Sequence, residues 1–140
     1  MPVLTTPLDQ DGQDTAATLL MIRTQEHEHF LMLSEVMRSL EGDPTAQTPC
    51  ADVIATASMG LMQVVTDPRT TFAQSLNAIL TAELTDNAGW ELLISLAQGA
   101  GESDLVEQFE RALEEEKEHL VIVKSWLAAL TAASTPTVAA

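Results

Sequence analysis

The sequence has few of the residues on which several common kinds of centre depend. Cys50 is the only cysteine among 140 residues. An intramolecular disulfide, a CxxC metal knuckle and a cysteine-ligated iron–sulfur cluster are therefore excluded. Tyrosine is absent and aromatic residues make up only 4%, so no tyrosine can carry a radical. The core must be built mainly from Leu, Ile, Val, Ala and Met, and this composition favours helices over strands.

Basic residues are also scarce. Six Lys and Arg stand against 21 Asp and Glu, which gives a formal net charge of -15. Such a surface repels phosphate groups and anionic membranes, so we expect neither nucleic acid nor a membrane as a partner. The sequence contains no apolar run near the ~20 residues needed to span a bilayer. It begins with no basic segment followed by an apolar one, so we expect no signal peptide and a cytoplasmic location.

Proline and glycine divide the chain into four predicted helices, three long and one short. Their predicted ranges are 14–40, 50–65, 71–98 and 103–131. We expect them to form one all-α antiparallel bundle over 14–131, between a flexible arm at 1–13 and a flexible tail at 132–140.

Local signals mark several of the helix ends. Gly42 is a natural stop for the first helix, and Thr48 before Pro49 predicts an N-cap with proline in the first turn. Thr71 and Gln74 fit a capping box at the start of the third helix. The short helix is nearly uncharged, and its composition predicts burial on more than one side.

Charged residues interrupt the apolar stripe of each long helix near its middle. The interrupting residues are Glu26 and His29 in the first helix, Glu83 in the third, and Glu116 and His119 in the fourth. Residues three apart share one helix face, so each Glu-x-x-His pair can point at one spot. Buried carboxylates are costly unless a cation cancels their charge, and carboxylate with imidazole suits a transition metal. We therefore predict that all five are metal ligands.

The two Glu-x-x-His motifs, with a lone Glu on another helix, resemble the ferritin-like di-iron carboxylate proteins, and the segment Glu26-His27-Glu28-His29 resembles their rubrerythrin-like branch. The resemblance covers residues 14–131. It implies a ferritin-like bundle that binds iron, as a di-iron or mononuclear site, with Mn or Zn as alternatives. It further implies Glu83 as a bridging carboxylate and a ferroxidase- or peroxidase-type oxidation of Fe(II) by O2 or peroxide.

The chain departs from that family pattern in ways that leave alternatives open. It lacks the usual first helix with its lone Glu, so five ligands are present where the pattern has six. The site is then mononuclear or lopsided, or it is completed by a second copy in a homodimer, or it is degenerate. A rival hypothesis from another class is a non-catalytic interaction or dimerisation module, in which the acids of the apolar stripes face a partner or a second copy and the nearly uncharged helix at 50–65 is part of the interface.

Overall fold

A computed structural model describes residues 12–134, which contain four α-helices and no strand. The helices are α1 (Gly12–Ser39), α2 (Pro49–Thr66), α3 (Phe72–Gly99) and α4 (Ser103–Ser134). The predicted all-α class, with three long helices and one short helix, is confirmed. The remainder of the predicted arm and tail, 1–11 and 135–140, lies outside the described residues. No helix within 12–134 is both long enough and apolar enough to cross a membrane.

The predicted N-terminal caps of α2 and α3 are present. The Thr48 hydroxyl accepts a hydrogen bond from the Ala51 N–H at 3.1 Å, with Pro49 in the first turn. At the start of α3, the Thr71 hydroxyl accepts from the Gln74 N–H at 3.2 Å, and the Gln74 side chain accepts from the Thr71 N–H at 3.0 Å. These reciprocal bonds fix where α3 begins, and therefore the depth at which its later residues lie in the core.

The end of α1 differs in detail from the prediction. The left-handed residue is Glu41, with φ 64°, rather than the glycine that follows it. The Glu41 N–H donates to the Arg38 carbonyl at 3.0 Å and the Gly42 N–H to the Met37 carbonyl at 2.7 Å. This is the bond pattern of a Schellman motif. At the end of α3, Gly101 takes the left-handed position itself, with φ 73°.

The apolar core lies between α1, α3 and α4. Its buried residues are Trp90, Ile94, Ala97, Phe109, Ala112 and Leu113, and Met32, Leu33 and Val36 of α1 pack against them. Ile22, Leu76 and Val123, one from each of these helices, are also buried. In each of the three helices, the charged residues that interrupt the apolar stripe lie in sequence between this residue and the residues that form or contact the core. The polar residues are thus enclosed above and below by apolar side chains.

The short helix α2 contradicts the burial predicted from its composition. It packs against α3, yet none of its residues is buried. Val53, Ile54, Met59 and Met62 are all more than half exposed. A helix that contacts one neighbour can cover only one narrow stripe, so its remaining apolar side chains face outward. The composition correctly indicated an apolar helix but did not indicate what would cover it.

Candidate metal centre

Four of the five predicted ligands come together between α1, α3 and α4. Glu26, Glu83, Glu116 and His119 each place one ligand atom so that these atoms all lie within 4.8 Å of one another. Glu116 and His119 are completely buried and Glu83 is 5% exposed. The Glu26 side chain is 36% exposed. Three carboxylates and one imidazole therefore meet at a point that is closed on the side of α3 and α4 and more open toward α1.

His119 directs one ring nitrogen at all three carboxylates. Its Nδ1 lies 3.2 Å from Glu26 Oε1, 3.6 Å from Glu116 Oε2 and 3.8 Å from Glu83 Oε2. Burial alone would lower the pKa of His119. Its interactions with the Glu116 and Glu26 carboxylates, together with the charge of Glu83, outweigh that effect, and the pKa rises to about 10. A proton on Nδ1 therefore occupies the position that a cation would take among the same oxygens.

Glu83 and Glu116 titrate in opposite directions. Burial, and after it the neighbouring Glu116 carboxylate, raises the pKa of Glu83 to about 9. Burial also raises the pKa of Glu116, but its interactions with the imidazoles of His119 and His29 prevail and lower it. Glu83 Oε2 and Glu116 Oε2 are buried, and neither has a hydrogen-bond partner within residues 12–134. A bound cation would satisfy these two buried oxygen atoms.

His29 is placed beside this cluster rather than within it. Its Nδ1–H donates to Glu116 Oε1 at 2.9 Å, and its ring meets Trp90 edge-on at a centroid distance of 5.4 Å. Its Nε2 is buried without a hydrogen-bond partner among the described residues and lies 3.7 Å from Glu115 Oε1. Burial lowers the pKa of His29, but the bond to Glu116 and the surrounding acids reverse this and raise it. His29 therefore orients the Glu116 carboxylate.

A surface groove of about 440 Å³ reaches the cluster from solvent. Glu26, His29 and Glu116 line its polar part, together with Asp86, which the sequence reading missed. Asp86 follows Glu83 by three residues and so lies on the same side of α3. Although the residue is exposed, desolvation and then the charges of Glu116 and Glu26 raise its pKa to about 6. The Glu-x-x-Asp spacing could have revealed it, because it matches the spacing of the Glu-x-x-His pairs.

Two uncharged side chains that the sequence reading also missed fix the geometry of the cluster. Asn87 is buried, and its amide donates to the carbonyls of Glu83 at 2.8 Å and Glu116 at 3.2 Å. It therefore ties α3 to α4 at the level of the two carboxylates. Gln25 accepts a hydrogen bond from Nε2 of His119 at 2.6 Å. Amides at these positions give no charge signal in the sequence, so the stripe pattern alone could not single them out.

Comparison with known proteins finds no matching family model, no matching curated protein and no matching solved structure. The function of this chain must therefore be inferred from the geometry of the site itself.

Proposed function

We propose that this protein is a ferritin-like metal-binding protein that holds iron through Glu26, Glu83, Glu116 and His119. The observation that carries the proposal is the convergence of these four groups, three of them buried and two with an oxygen that has no donor among the described residues. Removing carboxylates from water costs several kcal/mol per group unless an opposite charge compensates. A bound divalent cation supplies that charge and replaces the protons on Glu83 and His119.

The donor set favours a first-row transition metal. Three carboxylates and one imidazole suit iron, manganese or zinc, whereas magnesium and calcium prefer oxygen alone. In this proposal the helices form an antiparallel ferritin-like bundle, the protein works in the cytoplasm, and iron is the native metal. Asp86 lies in the groove outside the four clustered atoms, where it can assist the entry of a cation or hold a second one.

Oxidation of Fe(II) is the chemical step that we propose for the site. If two Fe(II) ions were bound, each would supply one electron to peroxide, which would take up two protons from solvent and leave as two molecules of water. The groove beside Glu26 gives a small oxidant a route to the cluster.

Metal titration of a matched pair of histidine variants tests the proposal. His119→Ala removes the only nitrogen within the cluster, and we expect anaerobic calorimetry to show that affinity for Fe(II) or Zn(II) falls by about a hundredfold or more. His27→Ala is the control, because His27 is exposed and stacks on Phe30 outside the cluster. If the His119→Ala variant kept the affinity and stoichiometry of the parent protein, the proposed site would be wrong.

We further propose that the chain forms a homodimer through α2. This helix carries Asp52 as its one charged residue, in a chain whose net charge is -15. Two copies repel each other least where they carry least charge, so this exposed apolar helix is the favoured face for self-association. Ile54 also lines the groove beside the cluster, so a partner bound at α2 would adjoin the site.

The alternative function is a non-catalytic interaction module, and the exposed apolar side chains of α2 favour it. The two functions differ in how they respond to metal. A functional metal centre predicts that thermal stability falls on treatment with chelator, because a ligand that binds only the folded state stabilises it. An interaction module predicts unchanged stability.

For the dimer, Ile54→Glu should shift the mass measured by light scattering to that of a monomer, while Thr56→Glu tests whether any added charge on α2 does the same.

A further inference from the structure

The imidazole of His119 is held at both nitrogens by neighbouring residues of α1. Nδ1 bonds Glu26 Oε1 at 3.2 Å, and Nε2 bonds the side-chain oxygen of Gln25 at 2.6 Å. His119 is completely buried. Its ring therefore has no access to water, and its orientation depends on these two contacts together with the surrounding acids.

The two contacts have different consequences for a cation. The Glu26 carboxylate can give up its hydrogen bond to Nδ1 and bind the metal instead. The Nδ1 atom can then lose its proton. The amide oxygen of Gln25 accepts only, so it favours a proton on Nε2. A neutral imidazole carries one N–H, and a cation binds the other nitrogen. A proton retained on Nε2 therefore leaves the lone pair on Nδ1, which faces all three carboxylates.

We infer that Gln25 is a positioning residue that selects the Nε2–H tautomer of His119 and so makes Nδ1 its metal-binding atom. The inference rests on the proposed function, and it adds a residue that binds no metal itself. Ligating histidines generally donate their other N–H to an oxygen acceptor, and loss of that acceptor commonly lowers metal affinity about 10–100-fold. Here the acceptor comes from the residue next to Glu26, so the same turn of α1 both supplies a ligand and orients one.

Three variants separate orientation from simple packing. Gln25→Leu keeps the approximate size of the side chain but removes the acceptor, and we expect it to lower Zn(II) affinity by about tenfold or more. Gln25→Glu restores an acceptor and should restore most of the affinity. Gln98→Leu makes the same chemical change at an exposed position near the end of α3 and should bind as the parent does. Circular dichroism at each step checks that the helices are retained.

Long-range ¹H–¹⁵N correlation spectra show which nitrogen of each imidazole carries a proton, and a change in packing alone would not alter this. The chain has only three histidines, so the spectra are simple to assign. With Zn(II) bound, we expect the Nδ1 resonance of His119 to shift while Nε2 keeps its proton. Zinc bound at Nε2, or a Gln25→Leu variant that binds as tightly as the parent, would overturn the inference. If the parent bound no Zn(II), the metal-binding proposal itself would fall. The metal-free spectrum would still decide the Gln25 bond, through a slowly exchanging Nε2–H that Gln25→Leu loses.

Discussion

Replacing Glu83 by glutamine should make the metal-free protein more stable while impairing metal binding. Glu83 is almost fully buried, and one of its oxygens has no donor in residues 12–134. The folded protein must therefore keep this carboxyl protonated or bear the cost of a buried charge. Glutamine is nearly isosteric and carries no charge. Its NH2 group can donate to the unsatisfied Glu116 oxygen, so the variant should fit the site without a new buried defect.

The magnitude follows from the pKa of Glu83, which rises from an ordinary 4.5 to about 9 on folding. A raised pKa contributes stability that is fully present below pH 4.5 and is lost as the pH rises toward 9. At pH 7 the unfolded chain has released the proton and the folded chain has kept it, which costs on the order of 3 kcal/mol. At pH 9 the cost approaches about 6 kcal/mol. The glutamine side chain does not titrate, so the advantage of the Glu83→Gln variant should grow with pH over this range.

Urea unfolding of both proteins in chelator, at pH 5, 7 and 9, measures this difference. Glu91→Gln is the matched control, since it removes one charge from an exposed position on the same helix. On adding Zn(II) at pH 7, the parent should gain stability and the Glu83→Gln variant should gain much less. If the free energies of unfolding of the parent and the Glu83→Gln variant changed with pH in parallel, Glu83 would not be a buried acid that stays protonated in the absence of metal.

Three further predictions concern protons, packing and the groove. Metal binding at pH 7 should release roughly two protons per ion, from Glu83 and His119, because metal ligands must be deprotonated; calorimetry in buffers of different ionisation enthalpy measures the number, and zero would contradict it. Asn87→Leu should lower the free energy of unfolding by about 1–2 kcal/mol, because it removes two buried hydrogen bonds; chemical denaturation tests this against Asn77→Leu, whose side chain lies in a different groove. Asp86→Asn should weaken metal binding less than about tenfold, since Asp86 lies outside the four clustered atoms, and a complete loss in titration would make it a principal ligand.

The positions of the helices, and the position of the site along them, were predictable because both follow from local periodicity. Residues three and four apart share a helix face whatever the rest of the chain does, so the break in each apolar stripe located Glu26, Glu83, Glu116 and His119 correctly at one level. The capping box at Thr71 was equally local. These features depend on residue spacing within single helices.

The rest depends on how the helices pack, which spacing alone does not specify. Whether His29 joins the cluster or orients Glu116 depends on the rotation of α1 against α4, and the structure places it against Glu116. Gln25 and Asn87 act by hydrogen bonds across helices, so their roles emerge only from tertiary geometry. The exposure of α2 was mispredicted because composition reports apolar character and not the number of neighbours.

The decisive measurement is the metal content of untagged protein, purified from iron-supplemented cells and analysed by mass spectrometry. We expect about one or two metal ions per chain, with iron predominant, and their loss in the His119→Ala variant but not in His27→Ala. A folded parent protein that contained no metal, and bound none on reconstitution with Fe(II), Mn(II) or Zn(II), would contradict the proposed metal centre.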